Sequence, residues 1–498
     1  MPSPDLHDHA ASAARFEHEV FVLGAGMSGL CMGVQLRRRG EQRFVIVEKS
    51  PGLGGTWWDN RYPGAHVDVP APLYSFSFAP NPHWRRRFAA APEIQAYQQA
   101  LAEREGLGPH LRLGTEVMDA RFDEAEARWH LRCRDAQGQP SLHVARYLVA
   151  SAGPLSRPRW PDIPGLADFT GQRLHSARWD ATVPLAGRRI GVIGTGSTAC
   201  QLIPPLVAQA GQLTVFQRTP NWVLPRLDRP YTALDRALAR LPPYNAAVRR
   251  FWHAVLEWGR RGFDEGSMAR RGMLATAAAH LKRQVPDPVL RAALTPPYPL
   301  GCKRIIYAND YYPALCQPHV RLNTTAIEAI TPGGVRTADG VEHALDVLVC
   351  ATGFDVEHGL ALPITGLGGQ TLAQAWADGP QAQLGLSVAG FPNLFVMLGP
   401  NTATGHTSTL LYIEPGVQWA LQAMAEVQRR GARWLALKPA AMAAFNTNLQ
   451  ARLAPLVWSG CRSWYRGHSG RNIAIWPGFT HEYVAAVRGQ RFDDFDFG

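Results

Sequence analysis

The sequence predicts an α/β protein with two Rossmann-like dinucleotide-binding domains and a helical insertion in the second. Three observations predict it. Gly24-Ala-Gly26-Met-Ser-Gly29 follows a short apolar run and opens a stretch with helical spacing. Gly194-Thr-Gly196-Ser-Thr-Ala199 repeats that order about one domain length later. Between about 225 and 300, Ala, Leu and Arg recur with helical spacing instead.

Taken in order, Glu19–Leu23 reads as a buried strand, residues 27–39 as a helix closing at Gly40, and residues 43–48 as a second strand. The N-terminal Met1–His9 lacks the order of a signal peptide and reads as a short flexible lead-in to the first strand. Arg189–Ile193, residues 198–210 and residues 213–217 repeat the strand–helix–strand unit. Proline pairs at 242–243 and 296–297 punctuate the helical stretch, whose alternative reading is an ordinary layer over the sheet. Residues 345–349 read as a strand, residues 391–400 as a strand entering a Gly-Pro turn, and residues 414–430 as a helix. The expected division is 1–154, 155–357 with the insertion, and 358–498. The outer two segments form one domain.

The net charge is +11, and arginine supplies nearly all of it. The arginines are dispersed and no nucleic-acid-binding motif accompanies them, so a solvated surface is expected. No run of about 18 apolar residues occurs, so no membrane span is expected. The seven cysteines (31, 133, 200, 302, 316, 350 and 461) form no C-x-x-C pair. They are expected to be reduced, buried thiols of a cytoplasmic protein, with no metal site and no disulfide framework.

In the first loop, Gly24 permits the tight turn, Gly26 lets a pyrophosphate approach the backbone, and Gly29 packs helix on strand. The helix start offers N–H groups to the phosphates. Glu48 ends the next strand at about the 20-residue spacing at which a carboxylate accepts from ribose hydroxyls. A free 2′-hydroxyl suits FAD or NAD. The following segment, from Gly54-Gly55-Thr56-Trp57 to Asp68, interleaves polar groups with Trp and Tyr, which suits a flat ring system. At the second loop the corresponding strand ends in Arg218-Thr219 instead of an acid. A cation and a hydroxyl there suit a 2′-phosphate, hence NADP(H). Two sites with opposite 2′ chemistry imply hydride transfer from NADPH to FAD.

Two longer motifs carry a family resemblance. Phe169 to Asp180 fits F-x-G-x-x-x-H-x-x-x-W-P/D, and Gly54 to Asp68 fits A/G-G-x-W-x-x-x-x-F/Y-P-G/M-x-x-x-D. The chain resembles the type I Baeyer–Villiger monooxygenases, class B flavoprotein monooxygenases that use FAD and NADPH. The resemblance runs from Val20 to about Tyr483. It implies insertion of one oxygen atom of O2 beside the carbonyl of a small-molecule ketone, through a flavin C4a-peroxide. Arg304 is the implied catalytic cation and Asp68 its partner. Lys303 is implied to contact the NADP 2′-phosphate with Arg218 and Thr219, and Trp464 to fold over NADP on a loop. Gly470-Arg-Asn472 departs from the P-G-K common there. Further cofactor-binding roles are implied for Gly55, Thr56, Trp57, Tyr74 and Val117, and for Gly194, Gly196, Ser197, Thr198 and Gln201. Asp59 stands where relatives often carry an aromatic residue. His175 is expected to couple the two nucleotide domains rather than act as base or ligand. The alternatives are an N- or S-oxygenating flavin monooxygenase, an uncoupled NADPH oxidase and a non-catalytic nucleotide sensor. The residues do not separate a monomer from a homodimer.

Overall fold

The computed structural model describes residues 14–358, 360 and 362–498; the expected N-terminal lead-in lies outside them. Two sheets organise the chain. In the first, strand Ala14–Leu23 runs parallel to Phe44–Val47 on one side and to Pro140–Ala150 on the other. These strands are rich in Val, Leu and Phe because helices and loops cover both faces. Pro140–Ala150 also pairs with Leu394–Val396, so the last third of the chain returns to the first sheet. Of the stretch expected as a strand near 391–400, only these three residues pair.

The second sheet is wholly parallel, in the order Val320–Asn323, Gln212–Phe216, Arg189–Ile193, Val347–Cys350, Gln172–His175. Its edge strand, Gln172–His175, belongs to the Phe169–Asp180 fingerprint. That fingerprint is therefore part of the second sheet and not only a linker. Both glycine loops lie at the carboxyl ends of their strands, where helices Met27–Arg38 and Ser197–Val207 begin. Open α/β sheets bind ligands at that edge.

Four helices, Ala233–Leu238, Pro242–Gly259, Met268–Gln284 and Pro288–Ala293, lie between two neighbouring strands of the second sheet. The first proline pair occupies the start of Pro242–Gly259, where a missing N–H costs nothing. None of that helix's residues is buried, so it is not a layer over the sheet; Phe251 and Trp258 are about 60% exposed. Helix Leu410–Arg429 starts four residues earlier than its spacing predicts and carries Pro415 inside it. Among the described residues no helix is long and apolar enough to cross a membrane.

The expectation for the cysteines is corrected at two points. Cys302 and Cys461 form a disulfide across 159 positions, and Cys316 is exposed. The other four are buried thiols. Spacing reveals a pair only when its members are close in sequence; these meet because the C-terminal loop packs against the segment after the insertion.

Candidate active site

The first glycine loop is built to exclude side chains. Gly24 has φ +98°, and a Cβ there would lie 2.7 Å from the Ser151 carbonyl oxygen. A Cβ on Gly29 would lie 1.8 Å from the Gly24 carbonyl oxygen, so helix and turn touch backbone to backbone. A Gly29→Ala variant is expected to lose at least about 2 kcal/mol of stability through overpacking. Unfolding midpoints and the flavin content of purified protein check this. Gly54-Gly55 lies directly on the loop, since a Cβ on Gly55 would lie 2.9 Å from the Gly26 Cα. The two motifs thus form one cradle. Helix Met27–Arg38 has Gly26 at its cap, no capping side chain and no acidic residue in its first turn. Its first N–H groups are free for an anion.

Glu48 is buried, and its carboxylate accepts from the backbone N–H of Ala25 at 3.0 Å and of Ser50 at 2.9 Å. Each oxygen keeps a lone pair, so both can still accept from a ribose. Thr56 begins a short helix, and buried Trp57 donates from Nε1 to the Tyr74 hydroxyl at 3.0 Å. Val117 is buried in strand Thr115–Asp123.

At the second loop, Gly194 has φ +117° and approaches the Ala351 carbonyl oxygen. Gly196 faces open space, Ala199 is fully buried, and helix Ser197–Val207 starts uncapped. Thr198 stands beside Tyr62. Gln201 is occupied by the protein: its Oε1 accepts from the Tyr62 hydroxyl at 2.8 Å, and its Nε2 donates to the His66 carbonyl at 3.1 Å. It therefore ties the second loop's helix to the segment following the first. Thr219 accepts from the Thr195 hydroxyl through its carbonyl.

Arg218 is exposed, and neither it nor Lys303 has an acidic partner among the described residues. Burial, and then Arg218, hold the half-buried Lys303 ammonium below its ordinary range. Its Nζ lies 4.6 Å from the centre of the Tyr298 ring. Two facing cations with no counter-charge form a ready anion site.

Arg304 and Asp68, 236 positions apart, form the ion pair at the centre. Arg304 donates from Nε and Nη2 to Asp68 Oδ2, at 3.1 and 2.6 Å, and from Nη1 to the Thr404 carbonyl at 2.7 Å. A guanidinium has five N–H groups, so two remain. Burial opposes the charge, but Asp68 overrides it and raises the Arg304 pKa above its ordinary value. Tyr307 and Tyr465 flank the pair, and burial pushes the Tyr465 phenol up to about 12. Trp464 is 43% exposed, with its ring 4.4 Å from that of Tyr465. The disulfide joins the segment of Lys303-Arg304 to the segment of Trp464.

Some contacts escaped the sequence reading. Asp59, without an assigned role, pairs with Arg178 of the fingerprint at 3.1 Å. Thr404 had no motif at all. His175 is buried; its Nδ1 accepts from the Ala177 N–H, which leaves Nε2 to donate to the Arg159 carbonyl. Burial lowers its pKa, and it has no exposed face for acid–base work.

A family profile described as an NAD(P)-binding Rossmann-like domain matches residues 22–91. A Baeyer-Villiger monooxygenase of Streptomyces coelicolor is 41% identical over 97% of this chain and 92% of its own. Another from Pseudomonas aeruginosa is 39% identical over 96% and 90%. A solved structure of an oxidized steroid monooxygenase bound to NADP superposes with a TM-score of 0.85, at 32% identity, covering 97% of this chain and 99% of that one.

Proposed function

Because the chain belongs to the Baeyer–Villiger monooxygenases, we propose that Arg304, clamped by Asp68 and Thr404, is the cation at which oxygen insertion beside a ketone carbonyl takes place. The protein is a flavin-dependent, NADPH-dependent monooxygenase that uses O2. The residues fit both cofactors. The paired glycine cradles, the free helix starts and the acceptor Glu48 suit FAD. The unpaired Arg218 and Lys303 suit the 2′-phosphate of NADPH. When bound, the flavin supplies oxygen activation and NADPH the reducing equivalents.

The chain's own groups then do three things. Glu48 selects the nucleotide with a free 2′-hydroxyl at the first loop, and Arg218, Thr219 and Lys303 select the phosphorylated one at the second. Arg304 presents two uncommitted N–H donors with a charge that deprotonation does not remove. It stabilises negative charge wherever oxygen becomes nucleophilic and on the former carbonyl oxygen as the adduct forms. Asp68 and Thr404 keep that guanidinium from rotating, so little reorganisation is needed during reaction. The paired N–H donors beside one carboxylate carry the reading. Gly55, Thr56, Trp57, Tyr74 and Val117 are assigned to the first cofactor, and Ser197, Thr198 and Trp464 to the second. Residues 1–154 and 358–498 form the domain for FAD and 155–357 the domain for NADP. The cytoplasm is the proposed location, with five cysteines as free thiols.

A panel of linear, cyclic and aromatic ketones tests the activity. Consumption of NADPH should match formation of a product heavier by one oxygen atom, detected by mass spectrometry as an ester or lactone. Consumption with only hydrogen peroxide formed across the panel, or oxygenation of sulfides and amines alone, would refute it.

A further inference from the structure

The third anchor of Arg304 belongs to a buried polar bracket that reaches the helical insertion. Helix Pro242–Gly259 lies on the surface, yet the side chain of its Glu257 is only 12% exposed. Glu257 Oε1 lies 3.0 Å from His406 Nε2 and accepts from the Thr480 N–H at 2.9 Å. Its Oε2 lies 2.7 Å from His481 Nδ1. Burial works against the carboxylate's charge, but these hydrogen bonds outweigh it and hold its pKa below the usual range. An ionised carboxylate only accepts, so His406 Nε2 carries a proton.

Burial lowers the His406 pKa, against the pull of Glu257. The Thr404 hydroxyl oxygen lies 3.2 Å from His406 Nδ1, and because backbone N–H groups take its lone pairs, its hydrogen is left to donate to Nδ1. The same oxygen accepts from the N–H groups of His406 at 3.3 Å and Thr407 at 3.2 Å. Between them, Gly405 faces Phe263 and Trp458, whose rings would lie 3.3 to 3.5 Å from a Cβ there. Every bond has one direction, and the chain ends at the Thr404 carbonyl that receives Arg304. The order carboxylate, imidazole, hydroxyl resembles a hydrolytic triad. Thr404 is 5% exposed, however, and its oxygen is committed to two backbone N–H groups, so it is no nucleophile.

We propose that His406 and Glu257 are positioning residues for Arg304, fixing the Thr404 carbonyl and thereby the direction of the two free guanidinium donors. This rests on the reading of Arg304 given above. It links the insertion and helix Thr480–Arg488 to the reacting centre, so a shift of either is felt at the guanidinium. Misplacement of such a group by about 1 Å costs on the order of 100-fold in rate.

The test compares the FAD-loaded wild type with Arg304→Ala, His406→Phe, His406→Gln and Glu257→Gln. Three readouts are taken: the rate of flavin reduction by NADPH, the KM for NADPH, and the ratio of oxygenated product to hydrogen peroxide. His406→Phe and Glu257→Gln should keep reduction rate and KM within about two-fold while the product-to-peroxide ratio falls about ten-fold or more. His406→Gln, which can both donate and accept, should recover part of that ratio. The proposal is overturned if both variants keep the wild-type ratio, or if reduction and oxygenation fall in equal proportion. Should His406→Phe fail to fold, Glu257→Gln decides alone, because it keeps the side chain's size while removing the charge and turning one acceptor oxygen into an NH2 donor. If Arg304→Ala itself retains the wild-type ratio, the reading of Arg304 fails. If it uncouples and the others do not, only the positioning role fails.

Discussion

Replacing Arg304 by alanine is expected to abolish ester formation while NADPH still reduces the flavin at close to the wild-type rate. The two half-reactions place different demands on the site. Hydride delivery needs the nucleotides aligned, the task we propose for the glycine loops and the Arg218–Lys303 pair. Oxygen transfer needs a fixed positive charge where negative charge develops; Arg304, clamped with N–H groups to spare, is the cation we propose for it. Loss of one such donor costs about 100- to 1,000-fold elsewhere; losing a charged donor that also neutralises Asp68 should reach the upper end. Single-turnover reduction followed by product and peroxide measurement checks it. Ketone conversion at near wild-type rate would remove Arg304 from the reaction. Asp68→Ala should give a milder loss, since the guanidinium keeps its charge and the Thr404 anchor.

The second large effect is expected at Arg218. Its guanidinium is exposed, and burial and then this neighbouring charge hold the Lys303 ammonium below its ordinary range. A phosphate between two cations relieves their repulsion and gains charge-assisted hydrogen bonds of about 1.5–3 kcal/mol each. Arg218→Ala should therefore raise the KM for NADPH by about 10- to 100-fold and leave the KM for NADH nearly unchanged. The difference should shrink as salt rises, because the site is partly exposed. An unchanged NADPH/NADH preference would refute the 2′-phosphate role of this pair.

Much of the proposed site is legible in the sequence because its chemistry is local. A glycine that must turn at positive φ, a helix that must start uncapped and a carboxylate at a strand end all lie within one strand–helix–strand unit. Gly24, Gly26, Gly29, Glu48, Gly194 and Gly196 are such residues. Arg304 and Asp68 were found through motifs, not through periodicity, since nothing in the sequence near either one points to the other. Thr404, His406 and Glu257 carried no local signal: a carbonyl acceptor has no residue type, and a glutamate on a surface helix looks like solvated charge. The disulfide escaped for the same reason.

From the sequence alone came the two nucleotide folds, the family to which the chain belongs and the proposed opposite 2′ preferences of the two loops. These depend on backbone conformations and charges set within a few tens of residues. Only the tertiary structure decided which partners close the site. It put the fingerprint strand Gln172–His175 on the edge of the second sheet, paired Asp59 with Arg178, joined Cys302 to Cys461, and connected Arg304 through Thr404 and His406 to Glu257. Apart from the Thr404–His406 step, each such contact spans a large sequence separation. It exists only once the order of strands in two sheets has brought the segments together.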